Sequence, residues 1–232
     1  MNLKKIILVV VLCVALVVGL VWAKRRSDTK ELLPVVPTAE QLYGQWITTV
    51  PAAPYIESSI RSGIGLECEI ETDLQITYVF EYSKDGIMTM SMDPTSAQEV
   101  VDCLKAEIEA RLPDALYASL GEKDGMTREE IDATLAVQGK DIPTLVESGL
   151  KNIKFDSIIA QETNPLPMYY VLKEDRLYYA GTAETLAEEK FDLRVDPILQ
   201  GDTLTLSNAI VANGEEFTGS EMVKYPLTLT KR

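Results

Sequence analysis

The stretch "LECEIETDLQITYVFEY", residues 66–82, carries the strongest structural signal in the chain. Its even positions are apolar or aromatic, with Thr72 the exception, and its odd positions are acidic or polar, with Val79 the exception. Strict alternation means extended backbone with one side toward a core and the other in water. Seventeen residues are long for one strand, so a bend or break is expected around Glu71, Thr72 and Asp73.

The pattern continues on both sides of this run. Downstream, "SKDG" (83–86) leads into "IMTMSMD" (87–93). Asp85-Gly86 between two alternating segments is a hairpin signature, because glycine supplies the positive φ of the turn. Two more hairpins are read at 167–181 ("PMYYVLKEDRLYYAG") and 191–208 ("FDLRVDPILQGDTLTLSN"), and "YPLTLTK" (225–231) gives a last strand. Upstream, "LYGQWITTV" (42–50) brings a Gly-x-Trp into β-branched residues and gives the first. Between the first and second hairpins the period becomes helical, over about 95–160. Val101, Leu104, Ile108 and Leu112 form an apolar stripe, with Pro113 expected to start a new turn or helix. Thr127 and Glu130 have capping-box spacing, and a further helix near Asp141 places Val146, Gly149, Leu150 and Ile153 on one face.

Gly44-Gln45-Trp46, Asp85-Gly86 and the run Gly201-Asp202-Thr203-Leu204-Thr205-Leu206, taken in this order of elements, resemble the lipocalin-like domains of uncharacterised bacterial surface lipoproteins and membrane-anchored proteins. The resemblance covers roughly residues 41–232. It implies an α+β domain: an antiparallel β meander curled into a barrel or a strongly curved sheet, here with a helical insertion. It also implies that Trp46 plugs the closed end of the barrel, with Gly44 allowing close approach and Lys231 laid over the indole. The family has no agreed activity, so the resemblance supplies architecture alone.

Residues 1–26 read as a signal anchor. Residues 6–23 are eighteen uncharged, almost wholly apolar residues, and as a helix they would span about 27 Å, close to the hydrocarbon thickness of a bilayer. Val21-Trp22-Ala23 loosely fits a cleavage site, but Lys24, Arg25 and Arg26 follow at once and favour retention. Cys13 lacks the small preceding residue that lipidation wants. Residues 27–40, polar and carrying Pro34 and Pro37, read as a tether. The expected location is a single-pass cell membrane protein with its C-terminal domain outside the cytoplasm.

Five of the 22 basic residues precede Ser27, leaving 17 against 36 acids, a balance of −19 for the rest of the chain. Such a surface repels phosphate backbones, so nucleic acid is not an expected partner. A superficial helix-turn-helix at 127–150 fails on the same ground, since its second helix carries almost no base-reading side chains. The chain has no histidine, which removes histidine-based nucleophile activation and most catalytic zinc sites. No catalytic residue, metal ligand or cofactor motif is read. Cys68 and Cys103 could form a disulfide contributing about 3–4 kcal/mol, although Cys68 lies on an apolar face and Cys103 off the helix stripe.

Two constellations remain. Glu67, Glu69, Glu71 and Asp73 form a carboxylate stripe with neighbours about 6.6 Å apart. It could serve calcium or a glycosidase pair, but reads first as a solvated face. Tyr78, Phe80, Tyr82, Tyr170, Tyr179, Met88 and Met90 have inward parity and either line a ligand cavity or fill the core. The leading expectation is a membrane-anchored extracytoplasmic binding or interaction module, taking a small apolar ligand or an envelope protein. The alternatives are a structural envelope protein with a filled barrel and, third, a carboxylate-based glycan-active enzyme. The intact mass of the membrane-extracted protein should therefore be that of the unprocessed chain. An N-terminus at Lys24, or lipid on Cys13, would refute the retained anchor.

Overall fold

The alternating segments become eight antiparallel strands in the computed structural model, which describes residues 33–121, 125–219 and 223–232. They are β1 (Gly44–Pro51), β2 (Gln75–Tyr82), β3 (Ile87–Met92), β4 (Leu166–Lys173), β5 (Arg176–Ala180), β6 (Leu193–Gln200), β7 (Thr203–Val211) and β8 (Leu227–Lys231). Each strand pairs with the next, and β8 returns to β1 to close a barrel. The anchor at 1–26, its helix at 6–23 and Cys13 lie outside the described residues. Among the described residues no helix is long and apolar enough to cross a membrane.

Among the described residues seven helices accompany the barrel: α1 (Ala39–Leu42), α2 (Ala53–Ile64), α3 (Pro94–Leu120), α4 (Arg128–Val137), α5 (Ile142–Asn152), α6 (Phe155–Glu162) and α7 (Ala183–Ala187). The expected insertion is thus four helices, α3 to α6, between β3 and β4. Asp93 caps α3 by accepting from the Thr95 N–H at 3.1 Å, with Pro94 in the first turn. The buried Ser96 hydroxyl accepts from the Thr77 N–H (2.9 Å) and donates to the Gln75 carbonyl (3.2 Å), tying α3 to β2. Pro113 does not open a new element: α3 runs through it to Leu120. The capping box forms as expected, Thr127 and Glu130 each accepting from the other's backbone N–H at 3.2 and 2.8 Å. At Gly149 an added Cβ would stand 3.2 Å from Leu112, so glycine is what lets α5 approach α3 closely.

The run at 66–82 is broken, as expected, but its first half is not a strand. Only its second half is strand, beginning at Gln75, after the break foreseen at 71–73. Residues 66–74 are extended with no strand partner, yet burial still alternates, with Ile70 buried and Glu67, Glu69, Glu71 and Asp73 exposed. This segment leans on helices: the Ile70 N–H donates to Glu57 of α2 at 2.9 Å, and Arg111 of α3 donates to the Glu69 carbonyl at 3.4 Å. A two-residue period reports extended backbone over a core, whatever covers it. Cys68 and Cys103 are both free, half-buried thiols, so no disulfide joins them.

The turns β2–β3, β4–β5 and β6–β7 gather at one end of the barrel. Glu174 and Asp175 make the β4–β5 turn at φ 51° and 63° without glycine. Inside this end Trp46 is completely buried with Leu177, Leu204 and Leu229. Its Nε1 donates to the Leu42 carbonyl at 2.7 Å, and the Lys231 ammonium sits 5.1 Å from the ring centroid while donating to the Gln41 carbonyl at 3.2 Å. Gly44 is needed for its φ of 111°, where side chains are strained, rather than for space: an added Cβ would meet nothing closer than 4.0 Å. Packing reaches back into the segment read as a tether, because Val35 and Leu199 exchange backbone hydrogen bonds of 2.9 and 2.7 Å.

Truncating Trp46 to Ala should cost about 3–5 kcal/mol. Trp46→Phe should cost about 1–3 kcal/mol, mainly through the lost bond to Leu42, and should remove a blue-shifted, acrylamide-resistant emission. Chemical denaturation and quenching measure both. A Trp46 emission readily quenched in the folded protein would contradict its place at the floor.

Candidate functional site

At the opposite end of the barrel the interior is not filled. A cavity of about 270 Å³ lies there, walled by β2, β3, β4, β5, β6, β7 and β8. Inward parity on β2 brings Tyr78, Phe80 and Tyr82 to its wall, and parity on β3 brings Met88 and Met90. Tyr179 faces them from β5. These six are among the residues that the sequence pattern marks as inward. Tyr170, marked with them, does not line the cavity. Its ring packs edge-on against Tyr82 at 5.1 Å, and its hydroxyl donates to the Ser83 carbonyl at 2.7 Å, bracing the β2–β3 turn.

The deep wall is a phenol pair: the Tyr82 and Tyr179 hydroxyls are 2.7 Å apart and buried. One O–H hydrogen serves that bond, and the other remains for an acceptor. Burial pushes both hydroxyls well above the ordinary tyrosine range. Burial also lifts Tyr225, to about 12, and Tyr78, to about 12, the latter helped by the negative charge of Glu162. Every tyrosine on the wall is therefore a neutral phenol at physiological pH.

The mouth is built largely by parts of the chain that the inward pattern does not reach. Glu162, the last residue of α6, reaches the cavity and accepts from the Tyr55 hydroxyl at 3.1 Å. Tyr55 belongs to α2, and burial first, then Glu162, raises its hydroxyl far above the usual range. Phe217 and Tyr225 come from the β7–β8 connection, their ring centroids 5.9 Å apart. That connection is held by the Phe217 N–H on the Ala209 carbonyl (2.7 Å) and the Tyr225 N–H on the Thr218 carbonyl (3.0 Å). Nothing periodic marks Glu162. The only sequence signal for Phe217 is an aromatic within the otherwise polar "GEEFTGS". Among the described residues Glu162 is the single carboxylate on the wall, and no lysine or arginine joins it.

The acidic stripe lies elsewhere, on the outside. Glu67 pairs with Arg61 at 3.0 Å, and none of the four carboxylates lines the cavity. Among the described residues no group of three or more histidine, cysteine, aspartate or glutamate side chains could hold a metal ion. Two wider depressions, of about 350 and 490 Å³, lie on the exterior among charged side chains, one around Lys173, Glu189 and Lys190 and the other between α3 and α6. Neither has the apolar lining of the barrel cavity. The chain matches no protein-family model, no curated protein and no solved structure.

Proposed function

We propose that this chain is a lipocalin-like binding module, anchored in a membrane by residues 1–26, whose barrel domain outside the cytoplasm takes a small, mainly apolar ligand. The observation that carries the reading is the cavity of about 270 Å³ at the end of the barrel away from Trp46. It is just below the ~300–1,000 Å³ of ordinary small-molecule sites. A dry cavity of ~150 Å³ takes benzene, so this one suits a ligand of roughly a dozen non-hydrogen atoms. Aromatic rings and adaptable thioethers make the wall, with few polar groups, as such sites require. A structural barrel would gain stability by filling this space with side chains. A glycan-active enzyme would need two carboxylates in one cleft, and one lines this cavity among the described residues.

A neutral probe of matching size, tert-butylbenzene, tests the reading on the full chain in lipid discs, with empty discs subtracted. At ten times its dissociation constant it should stabilise the domain by about 1.4 kcal/mol, raising Tm by roughly 2–5 °C. Met90→Phe, which reduces the cavity, should lose most of the shift while keeping the native circular dichroism. Equal shifts in both proteins would refute binding in this cavity, and no shift in either would refute a cavity that takes neutral apolar ligands.

A further inference from the structure

We infer that the cavity selects organic cations: its ligand carries a quaternary or other alkylated ammonium group, seated between Glu162 and the aromatic wall, with an apolar remainder directed toward the methionines. The inference rests on the binding reading above and adds the charge of the ligand.

Three independent features point the same way. The wall is aromatic, with Tyr78, Phe80, Tyr82, Tyr179, Phe217 and Tyr225 around one small space. Aromatic faces carry negative potential and attract an ammonium within about 6 Å of the ring, most strongly when it is desolvated. The wall also holds one carboxylate and, among the described residues, no base. Among the described residues Glu162 accepts a hydrogen bond from Tyr55 at 3.1 Å, through Oε1, and pairs with no lysine or arginine, so its carboxylate is positioned but not paired with a cation. Finally, the chain beyond residue 26 balances at −19, which draws cations toward the domain and holds anions off.

The alternatives fare worse on the same chemistry. A carboxylate ligand would enter beside Glu162 with no arginine or lysine on the described wall to receive it, and like charges in a poorly solvated space repel. A neutral hydrocarbon fits the walls but leaves Glu162 half-buried and uncompensated at the mouth. An alkylated ammonium is weakly hydrated, matches aromatic faces without needing directed hydrogen bonds, and pairs with the carboxylate. The cavity volume admits such a head with a short apolar or aromatic tail.

Three ligands of similar size decide the matter by titration calorimetry of the full chain in neutral lipid discs. They are phenyltrimethylammonium, its carbon isostere tert-butylbenzene, and the anion 3-phenylpropanoate. The cation should bind at least about tenfold more tightly than the isostere, the equivalent of ~1.4 kcal/mol, and the anion should bind most weakly. Glu162→Gln should bring the cation down to the level of the isostere and leave tert-butylbenzene unchanged. If tert-butylbenzene binds as well as the cation, or the anion outranks it, the cation inference fails while the cavity still binds ligands. A cation preference that survives Glu162→Gln would remove Glu162 from the site and overturn the assignment. If none of the three binds, the binding reading itself falls and the inference with it. The ranking on the native protein decides the question even if the variant does not fold.

Discussion

The pairing of Trp46 with Lys231 joins the first strand to the last, and the barrel depends on it. The β1–β8 seam is short: Trp46 opposes Lys231 and Ile47 opposes Thr230. One backbone bond extends it, the Arg232 N–H to the Gln45 carbonyl at 2.9 Å, while the Lys231 N–H continues the β7–β8 ladder by donating to the Asp202 carbonyl at 2.8 Å. What the seam lacks in length the indole supplies in packing, since one completely buried ring contacts the core while its N–H ties α1 to the floor. Eight strands leave an interior just wide enough for side chains or for one small ligand. Trp46 and its leucine neighbours fill the closed end, and the cavity opens at the other.

That division was legible in the sequence to the extent that it follows from parity. Alternation assigns Tyr78, Phe80, Tyr82, Met88, Met90 and Tyr179 to the interior, and they are there, because a strand's period of two is fixed by backbone geometry. The same rule overreaches at 66–74, where extended chain lies on α2 and α3 instead of in the sheet. Periodicity records which side of a segment is buried and not what buries it. Tyr170 is buried as its parity says, but its ring packs against Tyr82 instead of lining the cavity. Parity gives the face and leaves open which inward side chains border empty space.

The mouth was not legible, for a different reason. Glu162 and Phe217 are brought to the cavity by the end of a helix and by a long connection, where no strand alternation relates sequence to direction. Tyr225, by contrast, shares the parity of Leu227 and Leu229. Pro113 makes the same point in the opposite sense. Proline disfavours a helix interior by removing one N–H and crowding the preceding turn, yet α3 continues through it. The packing of α4 and α5 against the end of α3, centred on Ile131, Leu135 and Ile142 with Leu116 and Tyr117, offsets that cost.

The insertion is also what gives the cavity its charge. It leaves the barrel directly after β3 through the Asp93 cap and returns at β4, with Glu162 and Leu166 only four residues apart and both on the cavity wall. A short hairpin between β3 and β4 would close the barrel equally well and leave the mouth without Glu162. The insertion instead places α6 so that its last residue meets Tyr55 of α2, a helix that itself bridges β1 to the extended run before β2. Two excursions from the barrel, more than a hundred residues apart in sequence, thus converge on one hydrogen bond at the mouth. The β-strands define an apolar interior by their parity, and the helices add a carboxylate, Glu162, to its rim.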